Sequence, residues 1–277
     1  MTLHRIQIII PAHNEGGYIA DCLQTVLAQD FQGQVEVIVA ANGCSDDTAK
    51  RAQAMAPRFA QKNWKLTVIE IPEGGKPGAL NHADAIAGPG PRIYLDADIR
   101  MGAGLLAGIA QTLDTDDARY AGGKLVVAPS TSAISRAYAR FWQTLPFVTQ
   151  GVTGAGLFAV NEAGRKRWGQ FPGIISDDTF VRLHFSESER HLVDRSYQWP
   201  IAQGFSRLVR VRRRQDNGVT EIAQKYPELM SNQGHAPPQG RNILQLAARD
   251  PLGFLTYASV AIAVRIGKNR HDWARGR

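Results

Sequence analysis

The chain has 277 residues, 44% apolar and 21% charged, which excludes a disordered polymer and gives enough length to bury a substantial core. Its formal charge of +7, from 32 Lys and Arg against 25 Asp and Glu, favours anionic partners such as nucleotides, phosphorylated substrates or acidic lipids. Two cysteines, Cys22 and Cys44, exclude a disulfide scaffold and a four-thiolate zinc site, and suit a reducing cytoplasm. The opening segment carries only the short apolar run Ile8-Ile9-Ile10, without the h-region of a signal peptide, so a cytoplasmic location is expected.

In chain order, the first half alternates short β-branched runs with helix-period segments, the pattern of strands and crossover helices in a parallel sheet. Strands are predicted at 6–10, 35–39, 66–71 and 92–95, and helices at 18–28, 46–55 (with Ser45 as N-cap), 78–86 and 105–113. Past Tyr120 the alternation loosens. A strand is predicted at 124–128, a long amphipathic helix at 132–147, a strand at 157–160, and helices at 162–168 and from Ser176-Asp177-Asp178 through Phe185. The Gly, Pro, Asn and Gln rich stretch 231–240 reads as a loop before the last helices. The run 251–264 is too short to span a bilayer. It reads either as a helix on the protein's own core or, with Arg265, Lys268 and Arg270 behind it, as a helix lying in an anionic membrane interface at the inner face of the cell membrane.

Each of the first four strands runs straight into a polar cluster: Pro11-Ala12-His13-Asn14-Glu15, Asn42-Gly43-Cys44-Ser45-Asp46-Asp47, Glu73-Gly74-Gly75-Lys76-Pro77-Gly78 and Asp96-Ala97-Asp98. In an open parallel sheet the carboxyl ends of the strands line one crevice, where ligands bind. Asp96 and Asp98 flank a small residue there, so both carboxylates can converge on one hard cation, Mg2+ or Mn2+, which also takes phosphate oxygens. An Asp-x-Asp also arises at helix N-caps; its place beside three other strand-end clusters is what points to a metal.

These motifs, with Gly75-Lys76-Pro77-Gly78-Ala79-Leu80-Asn81, Thr153-Gly154-Ala155-Gly156 and Ser176-Asp177-Asp178, resemble those of the family-two inverting glycosyltransferases over about residues 6–185. The resemblance implies the GT-A fold, a Rossmann-like, mostly parallel sheet flanked by helices. A GT-A domain over 1–220 would divide into a nucleotide-binding half (1–119) and an acceptor-binding half (120–220), with a helical C-terminal extension over 221–277. It implies transfer from a nucleotide-diphosphate sugar, most often a UDP-sugar, to a carbohydrate or lipid-linked hydroxyl. Pro11, His13, Asn14, Glu15 and Asn42 would contact the nucleoside, and Ala41-Asn42 stands where many members carry an Asp pair. Lys76 would lie near the diphosphate, Asp96 and Asp98 would hold the metal, and Asp178, beside Asp177, would be the catalytic base. A helix N-terminus complemented by both acids is the rival reading of that pair.

Arg213 and Arg214, in the run Arg212-Arg213-Arg214-Gln215, fall where members place basic residues on a loop closing over the donor. The run does not spell the Gln-x-x-Arg-Trp motif of processive synthases, which points to transfer of a single sugar. In some GT-A enzymes a histidine placed like His184 completes the metal site. Trp142, Trp168 and Phe171 fit either a sugar platform or the core. A non-catalytic paralogue that keeps the donor motifs and a sugar nucleotidyltransferase are the alternatives. The basic residues are not interleaved with aromatics, so no nucleic-acid partner is expected.

Overall fold

The computed structural model describes residues 4–234 and 240–266. Residues 235–239 of the expected loop and the basic residues Lys268, Arg270, Arg275 and Arg277 lie outside the described residues. The strands β1 (Arg5–Ala12), β2 (Gln34–Asn42), β3 (Lys65–Ile71), β4 (Arg92–Leu95), β5 (Arg100–Met101), β6 (Tyr120–Val127), β7 (Leu157–Val160) and β8 (Arg190–Trp199) form one sheet in the order β3-β2-β1-β4-β7-β6-β8-β5. The first four in that order run parallel, β7 lies antiparallel between β4 and β6, and β8 pairs in parallel with β6. The α/β class and the shared carboxyl edge of the first four strands are as expected.

Around the sheet pack α1 (Ile19–Leu27), α2 (Thr48–Gln53), α3 (Ala56–Gln61), α4 (Lys76–Ile86), α5 (Leu105–Leu113), α6 (Ala133–Trp142), α7 (Pro146–Thr149), α8 (Glu162–Arg165) and α9 (Asp177–Arg182). The C-terminal part is α10 (Phe205–Lys225), α11 (Gly240–Arg249) and α12 (Pro251–Ile266). The central strand shows why the sheet is covered on both sides. Ile6, Ile8 and Ile10 of β1 enter one apolar cluster and Ile9 enters the other, and β2 repeats the alternation with Val35, Val37 and Val39 against Ile38 and Ala40. Each such side chain stabilises the fold by about 1.5–3 kcal/mol, so the two central strands β1 and β2, which carry the first two polar clusters, are firmly held.

Several expected boundaries move for physical reasons. The helix expected at 46–55 becomes α2 and α3, because Pro57 opens a new turn. Ser45 does not cap it; Asp46 accepts from the Thr48 amide at 3.0 Å instead, and the Ser45 hydroxyl turns to Asn14. The helix expected at 132–147 stops at Trp142, and Pro146 starts α7. Strand β8 escapes the hydrophobic pattern because only Val193 and Tyr197 of its ten residues are buried.

Candidate active site

The first three strand ends are tied into one rigid floor. Asn42, buried at the end of β2, donates to the carbonyls of Ala12 (3.0 Å) and Ala40 (3.3 Å) and accepts from the Gly75 amide (2.9 Å). Glu15 and Gly16 donate their amides to Thr48 and Asp46 at 2.7 and 3.0 Å, and Asn14, at φ 53°, accepts from the Ser45 amide at 2.7 Å. The His13 ring meets the Asn42 carbonyl at 2.7 Å. The amide of Asn42 is thus committed to bracing the loops. Asn42, expected at the nucleoside, is 2% exposed; of the other residues expected there, Pro11 is buried and His13, Asn14 and Glu15 are half-buried.

At the end of β4, Asp96 and Asp98 are both half-buried around buried Ala97. Burial pushes the Cys22 thiol of α1 upward, and the negative charges of Asp98, Asp96 and Glu15 push it further. The Lys76 ammonium, at the first residue of α4, lies 2.8 Å from Asp96 and 3.0 Å from Asp177. Burial works against its charge, yet Asp177, Asp96 and Asp178 together outweigh that and hold its pKa above the ordinary lysine value. Asp177 is only 4% exposed. Burial raises its carboxyl to about 6, opposed by Lys76 and reinforced by Asp178 and Asp96.

Asp178 sits differently. Its Oδ1 accepts from the Ser176 hydroxyl and the Thr179 amide, both at 2.7 Å, which fixes the carboxylate and leaves Oδ2 for another donor. It borders two spaces at once. One is a narrow cleft with Pro11, Lys76, Asp96, Gly154 and Asp177; the other is a cavity of about 530 Å³ shared with Trp142, Thr153, Arg182, Arg190 and Arg212. The strand-edge chemistry and the larger cavity therefore meet at this carboxylate.

The turn 153–156 closes the floor between them. Gly156 accepts the Asp96 amide at 2.8 Å, and Gly154 and Gly156 both hold left-handed φ values, 75° and 73°. A Cβ on Gly154 would fall 2.1 Å from the buried Tyr120 hydroxyl and 3.8 Å from the Cβ of Asp178. Gly154→Ala is expected to cost about 2 kcal/mol in urea unfolding and to displace Asp178, lowering turnover as well.

Two expected site elements move. The arginine run is not on a loop but inside α10, where Arg213 donates to the Ala263 carbonyl of α12 at 3.2 Å. Arg212, one residue earlier, is the one that lines the cavity, with Gln215 and Val219. These three follow Leu208 at helical spacing, a signal that the sequence held once the segment is read as a helix. His184 packs its ring on Phe180 and Trp168, with Nδ1 2.9 Å from the Phe180 carbonyl, and does not join Asp96 and Asp98. Of the three aromatic candidates, Trp142 reaches the cavity, while Trp168 and Phe171 pack around Tyr94. Ser176, part of the Ser176-Asp177-Asp178 motif, and Thr179, which the sequence pattern does not mark, together orient Asp178.

The residues at β4 suit a hard cation held in part by substrate. Among the described residues no three or more His, Cys, Asp or Glu gather as a complete metal cage. Asp96, which already draws the Lys76 ammonium, and its neighbour Asp98 would suit a Mg2+ or Mn2+ whose remaining positions are filled by phosphate oxygens.

The fold recurs in solved structures. The mannosyltransferase PcManGT from Pyrobaculum calidifontis, in complex with GDP-Man and Mn2+, superimposes with a TM-score of 0.58 at 20% identity over 95% of this chain and 76% of that one. S. aureus TarS 1-349 in complex with UDP gives 0.52 at 13% identity over 99% and 95%, and the same protein with UDP-GlcNAc gives 0.50 at 15% identity over 94% and 81%. No curated protein matches the chain in sequence. Residues 7–167, more than half of the chain and all four strand-end motifs, match the model of Glycosyl transferase family 2, and the chain belongs to that family of enzymes, which transfer sugar from nucleotide-sugar donors.

Proposed function

We propose that this enzyme is an inverting, metal-dependent transferase that moves one sugar from a nucleotide-diphosphate donor, with a UDP-sugar first in order, to a hydroxyl of a carbohydrate or lipid-linked acceptor in glycan or polysaccharide synthesis. The reading rests on one observation: Asp178 borders both the cleft that holds Lys76 and Asp96 and the 530 Å³ cavity beyond it. The donor diphosphate would lie over Asp96 and Lys76, with the nucleoside against Pro11, His13, Asn14 and Glu15 and the acceptor in the cavity beside Trp142 and Arg212. Asp96 and Asp98 would hold the cation, which supplies charge neutralisation for the departing diphosphate.

The acceptor hydroxyl then meets Oδ2 of Asp178, which takes its proton as the oxygen attacks the anomeric carbon. Lys76 offers a second positive charge to the leaving phosphate. Arg214, half-buried on α10, remains a candidate for a further contact; Arg213, bonded to α12, does not.

Thermal unfolding with UDP and GDP, with and without Mn2+, tests the donor assignment. The similar folds hold one nucleotide of each base. A Mn2+-dependent rise in melting temperature with one of them is expected, since a ligand bound only by the native state stabilises it by about 2.7 kcal/mol at a hundredfold its Kd. No response to either, in any metal, would remove the proposal.

A further inference from the structure

The helix α12 has two opposed faces, both of them apolar. Its inner face is fixed to the body: Phe254 packs edge-on to Phe141 at 5.5 Å, Tyr257 lies against Tyr138 and Phe141 at 5.6 and 5.3 Å, and Val260 is fully buried. Arg140 clamps its start through both oxygens of Asp250, at 2.8 and 2.9 Å. The outer face carries Leu252, Leu255, Ile262 and Ile266, exposed by 64%, 61%, 56% and 78%. Their spacing, with exposed Ser259 between, puts them in one stripe along the helix. A well-anchored helix with a continuous aliphatic stripe turned outward marks an interaction surface.

The charge around the stripe names the partner. From Phe205 onward the sequence holds thirteen Lys and Arg against five Asp and Glu, so the whole positive excess of the chain resides in this C-terminal part. Arg265 sits at the end of the stripe itself, and Arg207 and Arg210 are exposed on α10, which packs on α12. Among the described residues no helix is long and apolar enough to cross a membrane. Aliphatic residues on one side and a basic surround are what an anionic bilayer recognises in an interfacial helix.

We infer that the outer face of α12 seats the enzyme on an anionic lipid bilayer, with Leu252, Leu255, Ile262 and Ile266 entering the headgroup boundary and the surrounding arginines meeting lipid phosphates. The same helix packs close to the cavity on its inner side: Arg212, which lines the cavity, lies over the Tyr257 ring of α12 at 5.8 Å, so a seated enzyme would hold the acceptor cavity near the bilayer. The seat itself stands without the transfer reading; only this consequence for the acceptor rests on it.

The test is co-sedimentation of the full chain with vesicles of phosphatidylcholine alone or with 30% phosphatidylglycerol, a mixture of about one anionic lipid in three. Wild type is expected to bind the anionic vesicles at least about tenfold more tightly than the neutral ones, and Leu255→Asp/Ile262→Asp to lose at least about tenfold of that affinity. The variant should keep its circular dichroism, melting temperature and nucleotide response, which separates a failed surface from a failed donor site. Should it not fold, Leu252→Gln/Ile266→Gln at the helix ends takes its place. The inference is overturned if wild type ignores anionic vesicles. It is equally overturned if the variants bind as wild type does, or if the stripe instead holds two copies together, seen as a dimer that the variants dissolve without any vesicle binding. A loss of melting temperature on substitution, with no vesicle binding by wild type, would assign the stripe to a segment of the chain's own and overturn it too.

Discussion

Asp178→Asn is expected to lower turnover by about 10³-fold while nucleotide-diphosphate affinity stays within about twofold of wild type. The reasoning is geometric. Oδ1 of Asp178 is already engaged by Ser176 and Thr179, and the Asn carbonyl oxygen can keep both bonds, so the side chain stays in place and the helix start stays intact. What changes is the group left at Oδ2, an amide that cannot accept a proton. Diphosphate binding draws on Lys76, Asp96 and the cation, which the substitution does not touch. The measurement is steady-state transfer alongside calorimetric titration of the nucleotide diphosphate. Full turnover in the variant would remove Asp178 as the base. A loss of affinity equal to the loss of rate would place Asp178 on the donor instead. The rival account, in which the two acids merely complement the start of α9, predicts a small stability change and unaltered turnover.

How much of this was legible beforehand depends on burial. β1, β2 and β4 are buried on both faces and β3 is largely half-buried at the sheet edge, so their β-branched runs and the polar clusters that end them stand out in the sequence, and the shared carboxyl edge followed from them. β8 is a strand whose register is set by its neighbour β6 more than by its own alternation, with Val193 and Tyr197 as its only buried residues, and no periodic signal announces it. The helix α10 hid for the opposite reason. Its arginines read as a basic loop, whereas Leu208, Val211, Gly218 and Ile222 carry a helical stripe that packs it down and turns Arg212 and Arg213 to different neighbours. The pair Asp177-Asp178 was visible as a pair, but not its division of labour. Only the fold shows that Asp177 is enclosed against Lys76 while Asp178 stands between two spaces. Asn42 is the reverse case: a polar residue at the right edge, whose hydrogen bonds turn out to be structural.

Lys76→Met is expected to destabilise the metal-free protein by about 3 kcal/mol at neutral pH, because it leaves the enclosed Asp177 carboxylate facing Asp96 with no positive charge between them. The pH dependence follows from the sign of the Asp177 shift. Its folded pKa, about 6, is above the ordinary aspartate value, so ionisation of Asp177 costs stability; that cost is fully present above about pH 6 and is relieved as pH falls toward 4. Without the ammonium, ionised Asp177 is costlier still, so the gap between variant and wild type should be widest above pH 6 and should narrow as Asp177 takes up its proton. Urea unfolding in chelator across pH 4 to 8 measures the gap. Mn2+ should close part of it at pH 7, since a cation at Asp96 and Asp98 restores positive charge at the same place. A gap that is constant with pH would show that Lys76 acts through packing alone, and a gap untouched by Mn2+ would separate Asp96 and Asp98 from any metal.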